Sequence, residues 1–146
     1  MALDFGLKRM GVAVSDPLQL MAHARETLQY RSQRELFARL KHLVASEGVG
    51  LIVVGLPRNM NGSEGEMSQT VRVFMAQLES QLHVPVTAWD ERLTSRQAER
   101  MLSENAGRRR RQLGEIDRVA AVLILQSYLD SVAAKKNAQG ANGRDQ

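Results

Sequence analysis

Residues 1–16 read MALDFGLKRMGVAVSD, and the aspartate at position 4 decides how the rest of the chain is understood. Val12 and Val14 alternate with smaller residues, and a tight Gly-containing turn, GLKRMG, separates them from MALDF, so the two segments are expected to pair as a hairpin. Asp4 then stands where a short apolar strand hands over to a turn, flanked by Leu3 and Phe5. A carboxylate in that setting needs a partner, and the remaining sequence has to supply it.

Downstream, a third, edge-like strand is expected within Leu20 to Tyr30. Leu36, Phe37, Leu40, Leu43 and Val44 recur at helical spacing until Gly48 and Gly50 stop the pattern. GLIVVGLP (50–57) is a continuous apolar run bounded by Gly and Pro, as in a strand covered on both faces of a parallel sheet. Ser63 and Glu66 have capping-box spacing ahead of a helix whose buried face is marked by Val71, Phe74, Met75 and Leu78. VPVTAWDE (84–91) gives another strand, Thr94 and Gln97 a second capping box before a short helix ending near Ser103, and a last helix runs from about Glu115 to Ala133. This order predicts an α/β fold: a mixed five-stranded sheet with helices on both faces. One domain is expected over residues 1–134, and the Asn-, Gln- and Gly-rich stretch 135–146 is expected to be a disordered polar tail.

The 146 residues suit one core, and 43% hydrophobic with 25% charged residues is an ordinary globular balance. Lys and Arg number 20 against 16 Asp and Glu, a net charge of +4, which admits nucleic acid as a partner. The absence of cysteine excludes a disulfide scaffold, a thiolate nucleophile and a zinc ribbon. The longest apolar run, Val119 to Leu125, is far short of a membrane span, so a cytoplasmic location without membrane attachment is expected.

In open α/β sheets ligands gather outside the carboxyl ends of the parallel strands. Asp4, the GLPRNMNG loop (55–62) and Asp90-Glu91 all fall on that edge, and Asp117 opens the last helix. If that helix starts at the same edge, Asp4, Glu91 and Asp117 converge. Like charges that close are tolerable only with bound protons or cations. An all-oxygen site suits Mg²⁺ or Mn²⁺, and two such ions would support phosphodiester hydrolysis, the chemistry of a nuclease. Each acid alone also has a plainer explanation: Asp4 as a turn residue, Glu91 as half of an ion pair with Arg92, Asp117 as a favourable charge in a helix's first turn. Strand alternation sends Asp90 to the face opposite Glu91, so Glu91 is the one expected at the metals.

Four strings, LDFGLKRMGVAVSD, VVGLPRNMNGSEG, WDERLTSRQAERML and IDRVAAVLILQSYLD, run in order from residue 3 to residue 130 and resemble the successive motifs of the YqgF/RuvX family. The resemblance implies an RNase H-like fold related to RuvC-type Holliday junction resolvases. It implies a divalent-metal-dependent nuclease of pre-16S ribosomal RNA maturation, or alternatively a Holliday junction resolvase. The family's acidic positions fall on Asp4, Glu91 and Asp117. Two departures stand out: only three residues precede Asp4, and Leu7 replaces the hydroxyl residue that members often carry there.

Arg108, Arg109, Arg110 and Arg111 stand just ahead of Asp117, and guanidinium forks match phosphate oxygens. Lys8 and Arg9 in the first turn, and Arg92 after Glu91, are similarly placed to hold a phosphate. Aromatic content of 4% offers no evident stacking platform, so recognition of backbone and shape is expected. The expected partners are structured RNA, branched DNA and ribosomal particles, with the chain a monomer or, for junction resolution, a symmetric homodimer. A third reading keeps the fold as a non-catalytic RNA- or ribosome-binding module.

Overall fold

The computed structural model describes residues 1–59, 61–92, 94 and 113–142, with the side chains of the last segment from 118 to 141. Strands β1 (Ala2–Asp4) and β2 (Arg9–Ser15) form the expected hairpin, with Leu3 opposite Val12 and Asp4 opposite Gly11. Two short strands, β3 (Ala22–Ala24) and β4 (Leu28–Gln29), follow. They pair antiparallel with successive parts of β2, and the register slips by one residue between them. The expected edge strand is therefore one line of chain interrupted by a bulge at residues 25–27, a device that blunts an open sheet edge. Arg25 in that bulge ties the edge to the following helix, its Nε donating to Glu47 Oε1 at 2.8 Å.

Helix α1 (Gln33–Glu47) starts on Ser32, whose hydroxyl accepts the Glu35 N–H, and ends on Gly48 in the left-handed conformation (φ 63°) that glycine adopts without steric cost. Strand β5 (Ile52–Leu56) pairs parallel with β1, helix α2 (Glu66–Leu82) follows, and β6 (Val86–Asp90) pairs parallel with β5. Helix α3 (Leu113–Asn142) closes the described chain. The sheet order is β3-β2-β1-β5-β6, with β4 beside β2.

One face of the sheet, carrying Leu3, Val12, Ile52, Val54 and Leu56, packs on Leu36, Phe37 and Leu40 of α1 and Val71, Phe74 and Leu78 of α2. The other face is lined by smaller residues, Ala2, Ala13 and Val53, against which Ala121, Ile124, Leu125 and Leu129 of α3 are buried. Small side chains there let α3 lie close to the strands. Trp89 anchors β6 to α3, stacking edge-on to Tyr128 at 5.6 Å and donating its indole N–H to Ser127 Oγ at 3.1 Å. Helices thus cover both faces, as the alternation of elements predicts.

Two local expectations fail. Ser63 does not cap α2: the helix begins at Glu66 behind Gly65, while the Ser63 hydroxyl bonds Asn61 Oδ1 and accepts from Asn59 Nδ2 within the preceding turn. Turn chemistry outcompetes the capping box there. The last helix also runs past Ala133 through Lys135 and Lys136 to Asn142, into the stretch expected to be disordered. Its alanines at 133, 134, 138 and 141 favour helix without needing a packed face. The short helix expected to end near Ser103 lies largely outside the described residues. Among the described residues no helix is long and apolar enough to cross a membrane.

Candidate active site

The three parallel strands β1, β5 and β6 end on one edge, at Asp4, Leu56 and Asp90. At that edge the chain leaves β6 by a helical turn that begins at Glu91, and the hydroxyl of buried Thr94 closes it by donating to Glu91 O at 2.9 Å. The turn directs the Glu91 carboxyl across the end of β5 into hydrogen-bonding contact with the Asp4 carboxyl. Burial raises the Glu91 pKa above the usual carboxylate range; the bond to Asp4 lowers it, and the charge of Asp90 raises it further.

Gly55 makes this meeting possible. A Cβ at position 55 would collide with the Glu91 carboxylate, and would lie 2.8 Å from Glu91 Cγ and 2.7 Å from Ile124 Cδ1. The sequence groups Gly55 with the 55–62 loop; in the structure it lies within β5 and clears space for the acid.

Asp90 and Glu91 take different partners, and Arg92 pairs with the former. Asp90 Oδ1 accepts the Arg92 backbone N–H at 3.0 Å, and its two oxygens accept the guanidinium Nε at 3.1 and 3.0 Å and Nη2 at 2.7 Å. Arg92 hydrogen bonding holds the Asp90 carboxyl below its ordinary pKa. A depressed carboxyl stabilises the fold above its unfolded pKa, roughly 4, and loses that contribution as pH falls through the folded value. In urea melts, the stability gap between wild type and Arg92→Ala at pH 7 should therefore close towards about pH 3; a gap constant with pH would show that the pair does not carry it.

The remaining candidates divide. Lys8 is exposed and Arg9 half-buried in the hairpin at the end of β1, on the same edge as the acids. Leu7 beside them is 67% exposed. Asp117 falls in the opening turns of α3, four and seven residues ahead of Ala121 and Ile124, which pack on the sheet; its side chain lies outside the described residues. Arg108, Arg109, Arg110 and Arg111 also lie outside them. Among the described residues no group of three metal-ligating side chains occurs, so Asp4 and Glu91 form a pair.

Sequence reasoning missed Arg58. It sits in the loop after β5, 3.9 Å from Glu64 Oε1, and its charge contributes to lowering the Asp90 pKa. Glu64 is held chiefly by Arg72, whose Nε donates to Glu64 Oε2 at 2.7 Å. Arg58 is the first basic residue after β5, in a stretch whose Gly, Pro and Asn residues are those of turns.

The sequence model of RuvX, described as Holliday junction resolvase, matches residues 1–131. A protein of Listeria monocytogenes serotype 4b named "Putative pre-16S rRNA nuclease" is 46% identical over 133 residues, covering 90% of this chain and 96% of its own. A Moorella thermoacetica protein of the same name is 48% identical over 130 residues, 89% of this chain and 93% of its own. Among solved structures, Thermus thermophilus RuvC superposes with a TM-score of 0.54 at 14% identity, over 90% of this chain and 94% of that one. The fold is thus that of RuvC, and a match of this length to one family model, together with relatives at this identity, makes the chain a member of the RuvX family.

Proposed function

We propose that this chain is a divalent-metal-dependent nuclease that hydrolyses phosphodiester bonds in the precursor of 16S ribosomal RNA. The observation that carries the reading is the contact of two carboxyls, Asp4 and Glu91, at the carboxyl edge of the parallel strands, with Gly55 leaving them room. The names of the relatives supply the substrate.

The donor set fits Mg²⁺ or Mn²⁺: hard carboxylate oxygens, two of them in contact, one on a residue whose burial disfavours an uncompensated charge. Such an ion, when bound, supplies charge neutralisation at the scissile phosphate and makes a water more acidic. Asp4 and Glu91 would hold it, with Asp117 the third acid. Arg58, Lys8 and Arg9 would bind the flanking phosphates, and Asp90 keeps Arg92 oriented beside them. Arg108 to Arg111 would track the substrate backbone. Residues 1–134 would form the working domain, in the cytoplasm and with ribosomal particles as the context.

Junction resolution is the second reading, favoured by the family's description and by the likeness to T. thermophilus RuvC in complex with a Holliday junction substrate, at a TM-score of 0.50 and 17% identity over 84% of this chain and 88% of that one. It requires two active sites and hence a symmetric dimer. Offering a structured 16S precursor RNA and a four-way DNA junction side by side, with Mn²⁺ or EDTA, tests both. Metal-dependent cutting of the RNA is the expected result. Cutting of the junction alone would transfer the assignment to the resolvase, and binding without cutting of either would leave a non-catalytic module.

A further inference from the structure

The turn that follows Asp4, residues 5–8, joins the acid to Lys8, one of the basic residues assigned above to the flanking phosphates. It closes tightly: a Cβ at position 6 would collide with Arg9 O, so only glycine fits there. Tyr30, remote in sequence, holds this turn by two bonds. Its hydroxyl donates to Gly6 O, and its backbone N–H donates to Lys8 O at 3.2 Å. Tyr30 is itself firmly mounted. It directly follows β4, whose buried Leu28 pairs with Met10 and whose Gln29 O accepts Arg39 Nη1 of α1 at 2.8 Å. Its ring packs against the core on that face of the sheet. Burial raises the phenol pKa above its ordinary value, so the hydroxyl remains a donor at neutral pH. The pairing of β4 with β2 requires no hydroxyl at position 30; the bond to Gly6 serves the turn.

We propose that Tyr30 is a positioning residue of this edge: by fixing the carbonyls of Gly6 and Lys8 it holds the 5–8 turn in the form that presents Lys8 to a phosphate beside Asp4. Asp4 is placed without it, through pairing with Gly11 and contact with Glu91. Lys8 lies between the two strands, with its side chain exposed. A lysine on a loose turn loses the turn's freedom as well as its own when it meets a phosphate, and that entropy weakens binding. A turn already held by Tyr30 has lost this freedom on folding. Lys8 meets the phosphate alike before and during the reaction, so Tyr30 acts on KM and not on kcat. The inference rests on the nuclease reading only in taking nucleic acid to lie on this edge.

The test is a double-mutant cycle on binding, read in EDTA by fluorescence anisotropy with a labelled RNA stem-loop and, in parallel, a labelled four-way DNA junction. Tyr30→Phe keeps the ring and removes the hydroxyl. It should lower affinity by roughly 3- to 10-fold, the range of one hydrogen bond, and make the salt dependence shallower, because a charged contact is weakened. Lys8→Ala should do the same, and adding Tyr30→Phe to Lys8→Ala should weaken binding by less than about 2-fold more. Ser32→Ala removes the cap of α1 and lowers stability without touching the turn, so it should bind like wild type. With Mn²⁺ present, Tyr30→Phe should raise KM and leave kcat within about 2-fold. Unchanged affinity in Tyr30→Phe, losses that add fully in the double variant, equal weakening by Ser32→Ala, or no binding of either probe by wild type would overturn the proposal. A cycle that behaves as expected in a protein that never cuts would leave the role of Tyr30 standing and sink the nuclease reading.

Discussion

Asp4→Asn should lower metal-dependent cleavage by about a thousandfold while leaving nucleic-acid affinity in EDTA within about 2-fold, and Glu91→Gln should do the same. The reasoning starts from contact. The two carboxyls touch at the strand edge, and Glu91 is desolvated by burial beside Gly55. Each amide keeps the shape of the acid while removing the charge that holds a hard cation. The phosphate contacts are proposed for basic residues elsewhere on the edge, so binding should survive. A second readout separates loss of the site from loss of the fold. Mn²⁺ at a hundredfold excess over its Kd should stabilise wild type by about 2.7 kcal/mol, and either substitution should abolish that increment while the metal-free protein melts no lower than wild type. Cleavage retained in both variants would remove the pair from the chemistry.

Much of this geometry was legible in the sequence because it depends on strand ends. An acid after a short apolar run, a buried parallel strand and an acid pair after a third strand fix where Asp4 and Glu91 lie once the order of elements is known. Strand alternation is the argument that sets Asp90 apart from Glu91, and in the structure the two take different partners. What it could not show was the reason: Glu91 faces Asp4 because the chain turns helical directly after β6, while Asp90 is engaged by Arg92. The contacts that stayed hidden were those between residues remote in sequence. Gly55 reads as loop glycine until Glu91 and Ile124 are seen in the space a side chain there would take. The failed cap at Ser63 has a local cause, since a serine with asparagines two and four residues away has a closer partner than the helix N–H.

Gly55→Ala should lower cleavage about 100-fold with a modest loss of stability. The added methyl would meet Glu91 Cγ at 2.8 Å and Ile124 Cδ1 at 2.7 Å, well inside van der Waals contact. Overpacking of this kind costs roughly 1–3 kcal/mol. The two neighbours yield differently. Ile124 can be relieved by truncation, because Ile124→Val removes the Cδ1 atom itself. Glu91 can yield only by swinging its carboxyl away from Asp4, and a displacement near 1 Å at a reacting centre costs about 100-fold. The double variant Gly55→Ala/Ile124→Val should therefore regain part of the thermal midpoint lost in Gly55→Ala while cleavage and the Mn²⁺-induced stabilisation both stay low. Recovery of cleavage in step with stability would mean that Gly55 serves only the packing of α3 on the sheet, and that the position of Glu91 is not what the glycine protects.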